Sequence, residues 1–158
     1  MVAEKKQERG GVIPYYIKDG EVQMMFMQPS DPKFGGTSFQ IAKGKIDGNE
    51  SPQEGAFREA KEELGLFGPN VEVPNTLGRF GNIHIYIAKI KDPNMFGDTT
   101  DETKATTWWT PEEFQSKGRS WQKPIVKAAA RKIERLESLD GQKNKEAPTV
   151  DRSGGAGI

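Results

Sequence analysis

Apolar positions along the chain form short alternating runs broken by glycine and proline, with two longer stretches at helical spacing. Gly11 to Ile17 is apolar and β-prone, and a turn at Lys18-Asp19-Gly20 leads into a second such run, Glu21 to Met27. The pair predicts a hairpin. Gln28 to Thr37 holds Pro29, Pro32, Gly35 and Gly36 and reads as a loop, followed by a short strand, Phe39 to Ala42, that runs into Lys43-Gly44-Lys45. Thr76 to Ile90 reads as one or two strands, in which Ile83, Ile85 and Ile87 alternate with His84, Tyr86 and Ala88. That period of two predicts a strand covered on one face. Ala105 to Trp109 resembles a last strand, and Thr110-Pro111-Glu112-Glu113 opens a short helix.

The helical stretches are Pro52 to Leu64 and Pro124 to Leu136. In the first, Ala56, Phe57, Ala60 and Leu64 share one stripe; in the second, Ile125, Ala129, Ile133 and Leu136 do. Ser51 before the first helix, with Glu54 three residues on, has the pattern of a capping box. Pro52 takes the first helical position, where its missing N–H costs nothing, and Gly65 supplies the stop. A single domain over residues 1–140 is expected, with residues 1–9 frayed and a polar, disordered tail over 141–158.

Composition narrows the chemistry. The 158 residues hold 23 Lys+Arg against 23 Asp+Glu, a balance that argues against a broad nucleic-acid or membrane-binding surface. No cysteine is present, which excludes disulfides, thiolate metal sites and thiol catalysis. One histidine, His84, leaves no multi-histidine zinc site. Any metal must be held mainly by oxygen, which favours magnesium or manganese. No apolar signal core or membrane-length run occurs, so a cytoplasmic protein is expected.

The Pro52–Leu64 helix also carries the candidate chemistry. Glu59, Glu62 and Glu63 fall roughly opposite its apolar stripe. Carboxylates three and four residues apart repel by a few tenths of a kcal/mol per pair. They also sit in the middle and last turns, where the helix dipole disfavours anions. One reading is a solvated acidic face relieved by Lys61 and Arg58. The other is a carboxylate cage, in which a divalent cation turns repulsion into attraction.

Wider spacing favours the cage. The stretch GKIDGNESPQEGAFREAKEELGL places Gly44, Glu50, Arg58-Glu59, Glu62-Glu63, Gly65 and Leu66 in the order G-x5-E-x7-R-E-U-x-E-E-x-G-U. It resembles the signature of the Nudix hydrolases at every fixed position, with Ala60 smaller than usual where a bulky aliphatic residue stands. The order of flanking elements is similar to that family's α/β fold, a mixed β-sheet between helices.

The resemblance implies a role for each matching residue. Glu59, Glu62 and Glu63 match the family's metal-binding carboxylates, one of which can also act as general base. Lys43 would offer its backbone carbonyl as a further ligand. Arg58 matches a residue that orients the glutamates, the alternative being a surface pair with Glu54. Glu50 matches a brace of the loop–helix unit, while Gly44 and Gly65 serve backbone geometry. The implied activity is hydrolysis of a pyrophosphate bond in a nucleoside diphosphate linked to another moiety, with more than one Mg2+ or Mn2+ ion per site.

Two further segments are similar to diadenosine tetraphosphate hydrolases. Ile41-Ala42-Lys43-Gly44-Lys45 looks like their L-P-K-G-K/H lead-in, with Ala42 in place of proline, and DETKATTWWTPEEF looks like their E-x5-W-x-x-x-E-E segment. Glu102 is thereby a candidate metal ligand or base from outside the helix, the alternative being an ordinary loop acid. Lys43 and Lys45 are candidates for neutralising phosphates, and Tyr86 and His84 for contacting a base, with partial burial as the competing reading. RNA 5′-pyrophosphohydrolases and ADP-ribose or sugar-nucleotide pyrophosphatases are alternative activities. A non-catalytic nucleotide-binding module is an alternative of another class, although such a module should have lost some of the acidic positions retained here.

Overall fold

In a computed structural model, residues 7–150 are described, with side chains to residue 139. The strands are β1 (Arg9–Lys18), β2 (Glu21–Pro29), β3 (Ala42–Lys45), β4 (Val71–Phe80), β5 (Ile83–Ile90) and β6 (Thr103–Trp109). The helices are α1 (Pro52–Leu64), α2 (Pro111–Lys117) and α3 (Lys123–Val150). One mixed sheet runs β4-β5-β1-β2-β6, with β3 also paired to β1. Among the described residues, only the β1–β5 pairing is parallel.

The β1–β2 hairpin turns through Asp19 at φ 51° and Gly20 at φ 82°, left-handed values that suit the twist of paired strands. Along β1 the partner changes: Arg9–Val12 pairs with β3 and Tyr15–Lys18 with β2. Pro14 stands at this changeover, where a residue without an N–H is tolerated in a central strand.

Alternation sends side chains to two cores. Ile13 and Tyr15, with Ile83, Ile85 and Ile87, pack under α2 and α3 against Phe114, Ile125, Ala129 and Ile133. Val12, Tyr86, Ala88 and Ile90 pack on the other face against Ala56, Ala60 and Leu66. β5 is therefore covered on both faces, not on one, because α1 lies over the side that carries Tyr86.

Several boundaries differ from the sequence reading, among them the start of β4, at Val71 and not Thr76, and of β6, at Thr103 and not Ala105. β3 starts at Ala42, not Phe39, because Phe39 is turned into the core against Trp109 at 5.0 Å and the Ile41 N–H donates to Gln122 Oε1 at 2.7 Å. Residues 7–9 of the segment expected to fray are tied down: Arg9 N donates to Asn82 O at 2.8 Å, and Gln7 Nε2 to Ile46 O at 3.0 Å. α3 runs past Leu136 and takes in the backbone of the expected tail up to Val150; the rest of that tail, 151–158, and the start, 1–6, lie outside the described residues. No helix among the described residues is long and apolar enough to cross a membrane.

Candidate active site

The geometry of the site begins with how α1 is fastened. Ser51 Oγ accepts from Glu54 N at 3.1 Å and Glu54 Oε1 accepts from Ser51 N at 2.8 Å, a complete capping box. Gly65 closes the helix at φ 77°, a left-handed value that favours glycine. Underneath, a Cβ on Gly10 would meet Ala56 Cβ at 2.9 Å, so the helix rests directly on the backbone of β1. Ala60 is fully buried in the same layer, in a cluster with Val12 and Tyr86. A bulkier residue there would lift α1, which accounts for the small side chain at that motif position.

Arg58 organises the acidic face. Its Nε and Nη2 donate to Glu50 at 2.6 and 3.0 Å, its Nη1 to Glu59 at 3.0 Å and to Glu62 at 3.3 Å, and its Nη2 also to Lys45 O at 3.0 Å. Glu54 is taken up by the cap, so the surface pair with Arg58 is not formed. The Arg58 guanidinium, with the Asp47 N–H, holds Glu50 down at about 2. Glu50 thereby joins the loop before α1 to the helix through two charge-assisted bonds.

The other carboxylates behave in the opposite way. Burial, then the neighbouring Glu59, pushes Glu63 up to about 8, although Lys43 N donates to its Oε1 at 3.1 Å. Burial and Glu62 raise Glu59 as well. Gly44 lies against Glu59 so closely that a Cβ there would collide with the carboxylate. Burial, then Arg119, lowers the Lys43 ammonium to about 8.

As they stand, no three acidic or imidazole groups among the described residues converge at metal-ligating spacing. The reason is visible: Arg58 draws Glu59 and Glu62, while the Lys43 N–H holds Glu63. The donor set nevertheless fits a hard divalent cation. Its oxygens are carboxylate oxygens, and the charge that burial opposes is the charge that a cation would stabilise.

Glu102 reaches the same place from the loop before β6. Thr100 N donates to Glu62 O at 2.9 Å and Thr103 Oγ1 to Glu63 O at 2.9 Å, which binds this loop to the last turn of α1. Glu59, Glu62, Glu63 and Glu102 all line one cavity of about 800 Å³. Arg9, Lys43, Lys45 and Arg119 line it as well, so cationic side chains share the cavity with the acidic ones.

A model of the NUDIX domain matches residues 9–129. The chain belongs to the Nudix family. An uncharacterised Nudix hydrolase of Rhodococcus erythropolis is 31% identical over 94 residues, covering 51% of this chain and 50% of that protein. The chain thus spans about half the length of this curated relative. A Caenorhabditis elegans Ap4A hydrolase in a binary complex has a TM-score of 0.67 at 16% identity, covering 82% of this chain and 98% of that one. A MutT/Nudix family protein of Listeria innocua also scores 0.67 at 17% identity, covering 87% and 99%. The Nudix domain of Shewanella oneidensis NrtR, solved with ADP-ribose, scores 0.61 at 15% identity, covering 82% and 90%. These likenesses establish the fold.

Against this Nudix frame, the two expected base contacts need correction. Tyr86 does not reach the cavity; it is buried beneath α1, its ring 6.2 Å from that of Phe57. His84 lies outside it too, with Nε2 2.8 Å from Glu8 Oε1 in a cluster that Arg79 completes. The strand period correctly placed both opposite the isoleucines, but α1 claims that face. Trp108 and Trp109 are likewise packing residues, against Tyr16 and Phe96 and against Phe39 and Phe114 respectively.

The cavity's remaining wall was missed by the motif reading. Arg119 Nη1 donates to Gln40 Oε1 at 2.6 Å, and Gln40 Nε2 donates to Phe34 O at 2.9 Å. The Arg119 guanidinium also lies 5.1 Å from the centre of the Trp121 ring. The positive charge beside a tryptophan in Arg119-Ser120-Trp121 is the one local signal that could have flagged this segment.

Proposed function

We propose that this Nudix protein is a divalent-metal-dependent hydrolase that cleaves a pyrophosphate bond in nucleoside diphosphate-linked substrates. The favoured substrate is diadenosine tetraphosphate or a similar dinucleoside polyphosphate. One observation carries the reading: Glu59, Glu62, Glu63 and Glu102 line the same cavity as Arg9, Lys43, Lys45 and Arg119. A polyphosphate needs both, since cations neutralise its outer oxygens while metal-held carboxylates serve the linkage that is cut.

Glu59, Glu62, Glu63 and Glu102, with the Lys43 carbonyl, would hold Mg2+ or Mn2+, in more than one ion per site. Bound there, such ions lower the pKa of a coordinated water and stabilise the leaving phosphate. Arg58 keeps Glu59 and Glu62 aligned and Glu50 fixes Arg58 in turn. A carboxylate of this group beside the coordinated water would take its proton. Lys43, Lys45, Arg9 and Arg119 would take the phosphates not being cleaved. The two segments that resemble diadenosine tetraphosphate hydrolases, Ile41–Lys45 and Glu102–Glu113, support the choice of substrate.

The test is turnover with Mg2+ or Mn2+ across diadenosine tetraphosphate, ADP-ribose, a sugar nucleotide and a 5′-triphosphorylated RNA, with products identified. Diadenosine tetraphosphate should be cleaved fastest, and Glu62→Gln should lower kcat at least about a hundredfold. Preference for ADP-ribose or RNA would replace the substrate assignment. Nucleotide binding without turnover would move the chain to the non-catalytic class.

A further inference from the structure

We propose that Phe34 and Trp121 form a nucleobase-stacking subsite at the rim of the cavity, with Arg119 as its polar support. The inference deepens the reading above and rests on it for the position of the phosphates. Phe34 is 68% exposed and Trp121 45% exposed, and both rings line the cavity that holds the carboxylates. Large aromatic rings left open to water beside a charged cleft are costly unless a flat apolar partner covers them. A purine or pyrimidine ring is such a partner, and it arrives attached to the phosphates that the cationic wall would bind.

The rings are built into place. Phe34 ends a short turn in which Asp31 Oδ1 accepts from Lys33 N at 3.0 Å and Gly36 N donates to Pro32 O at 2.6 Å. Gly35 follows at φ 127°, and a Cβ there would collide with Gln40 and Arg119, so glycine lets the turn approach both. Gln40 then joins the two sides, donating to Phe34 O and accepting from Arg119. Arg119 occupies part of the Trp121 ring surface, which orients the indole and enriches the stack it offers. Ser30, at the start of the Phe34 loop, donates through N to Glu102 O at 2.9 Å and through Oγ to Asp101 O at 2.6 Å. A base held on this loop is therefore registered against the acidic loop.

Calorimetric titration of the intact protein with ATP and with inorganic tripolyphosphate, in Ca2+ buffer, tests the proposal. Trp121→Leu should weaken ATP roughly ten- to hundredfold while leaving tripolyphosphate within about twofold. Phe34→Ala should act in the same direction, and Trp121→Phe should restore most of the ATP affinity. Equal losses for both ligands, no loss for ATP, or a parent protein that binds ATP no tighter than tripolyphosphate overturns the subsite. Hydrolysis is not the readout, so a base-dependent difference that disappears in Trp121→Leu stands even if Mg2+-dependent turnover is absent.

Discussion

Glu63→Gln should stabilise the metal-free protein and flatten its response to pH. The Glu63 carboxyl sits at about 8 in the fold against an ordinary 4.5, because burial and Glu59 oppose its charge. Unfolded chains bind fewer protons at this position than folded ones across that interval, so stability falls as pH rises from 4.5 toward 8. At neutral pH the penalty is about 3 kcal/mol, from roughly 1.4 kcal/mol per pH unit. Glu8 and Glu50, both held at about 2, contribute stability that is complete above 4.5 and constant through the window. Lys43, at about 8 instead of 10.5, adds pH dependence only above the window.

Urea unfolding in chelator at about pH 5.5 and about pH 7.5 reads the effect. The parent should lose roughly 2–3 kcal/mol between the two, and Glu63→Gln clearly less, the residue of the slope coming from Glu59. The glutamine oxygen keeps the bond from Lys43 N, so the geometry is preserved. Saturating Mg2+ should return stability to the parent at the higher pH and do little for the variant. A variant that falls as steeply as the parent, or is less stable than it at the higher pH, refutes the reasoning.

Gly44→Ala should drive the Glu59 carboxylate off Arg58, lowering kcat at least about tenfold while destabilising the fold by only about 1–2 kcal/mol; steady-state kinetics beside thermal melts would show it, and an unchanged kcat would exclude the contact. Tyr86→Phe should keep both kcat and KM within about twofold, because the ring is a packing element beneath α1; a KM increase for nucleotides would return Tyr86 to the cavity.

The acidic helix was legible because everything that builds it is local. Ser51, Pro52, Glu54 and Gly65 set its ends within hydrogen-bond reach of their own neighbours, and the spacing of Arg58 to Glu63 fixes their shared face. The strands were legible as alternation, but not which face each helix would claim. That decides Tyr86, whose position opposite the isoleucines is compatible with a cleft until α1 is laid across it. Arg119, Gln40 and Phe34 were not legible, because their bonds join segments up to 79 residues apart and none falls at a motif spacing. The start of β3 was misread for the same reason: Phe39 and Ile41 answer to Trp109 and Gln122, far along the chain.

The contact of Gly10 with Ala56 has a consequence for how such a site can drift. With no side chain on Gly10, the height of the carboxylates above the sheet is set where Ala56 and the Pro52 carbonyl approach the β1 backbone. Substitutions among the large residues under α2 and α3 can reshape the opposite face of the sheet without touching that contact. A bulkier residue at Gly10 or Ala56 should move Glu59, Glu62 and Glu63 together. The site is thus gauged by its smallest residues, and its specificity loops can vary around a fixed reference plane.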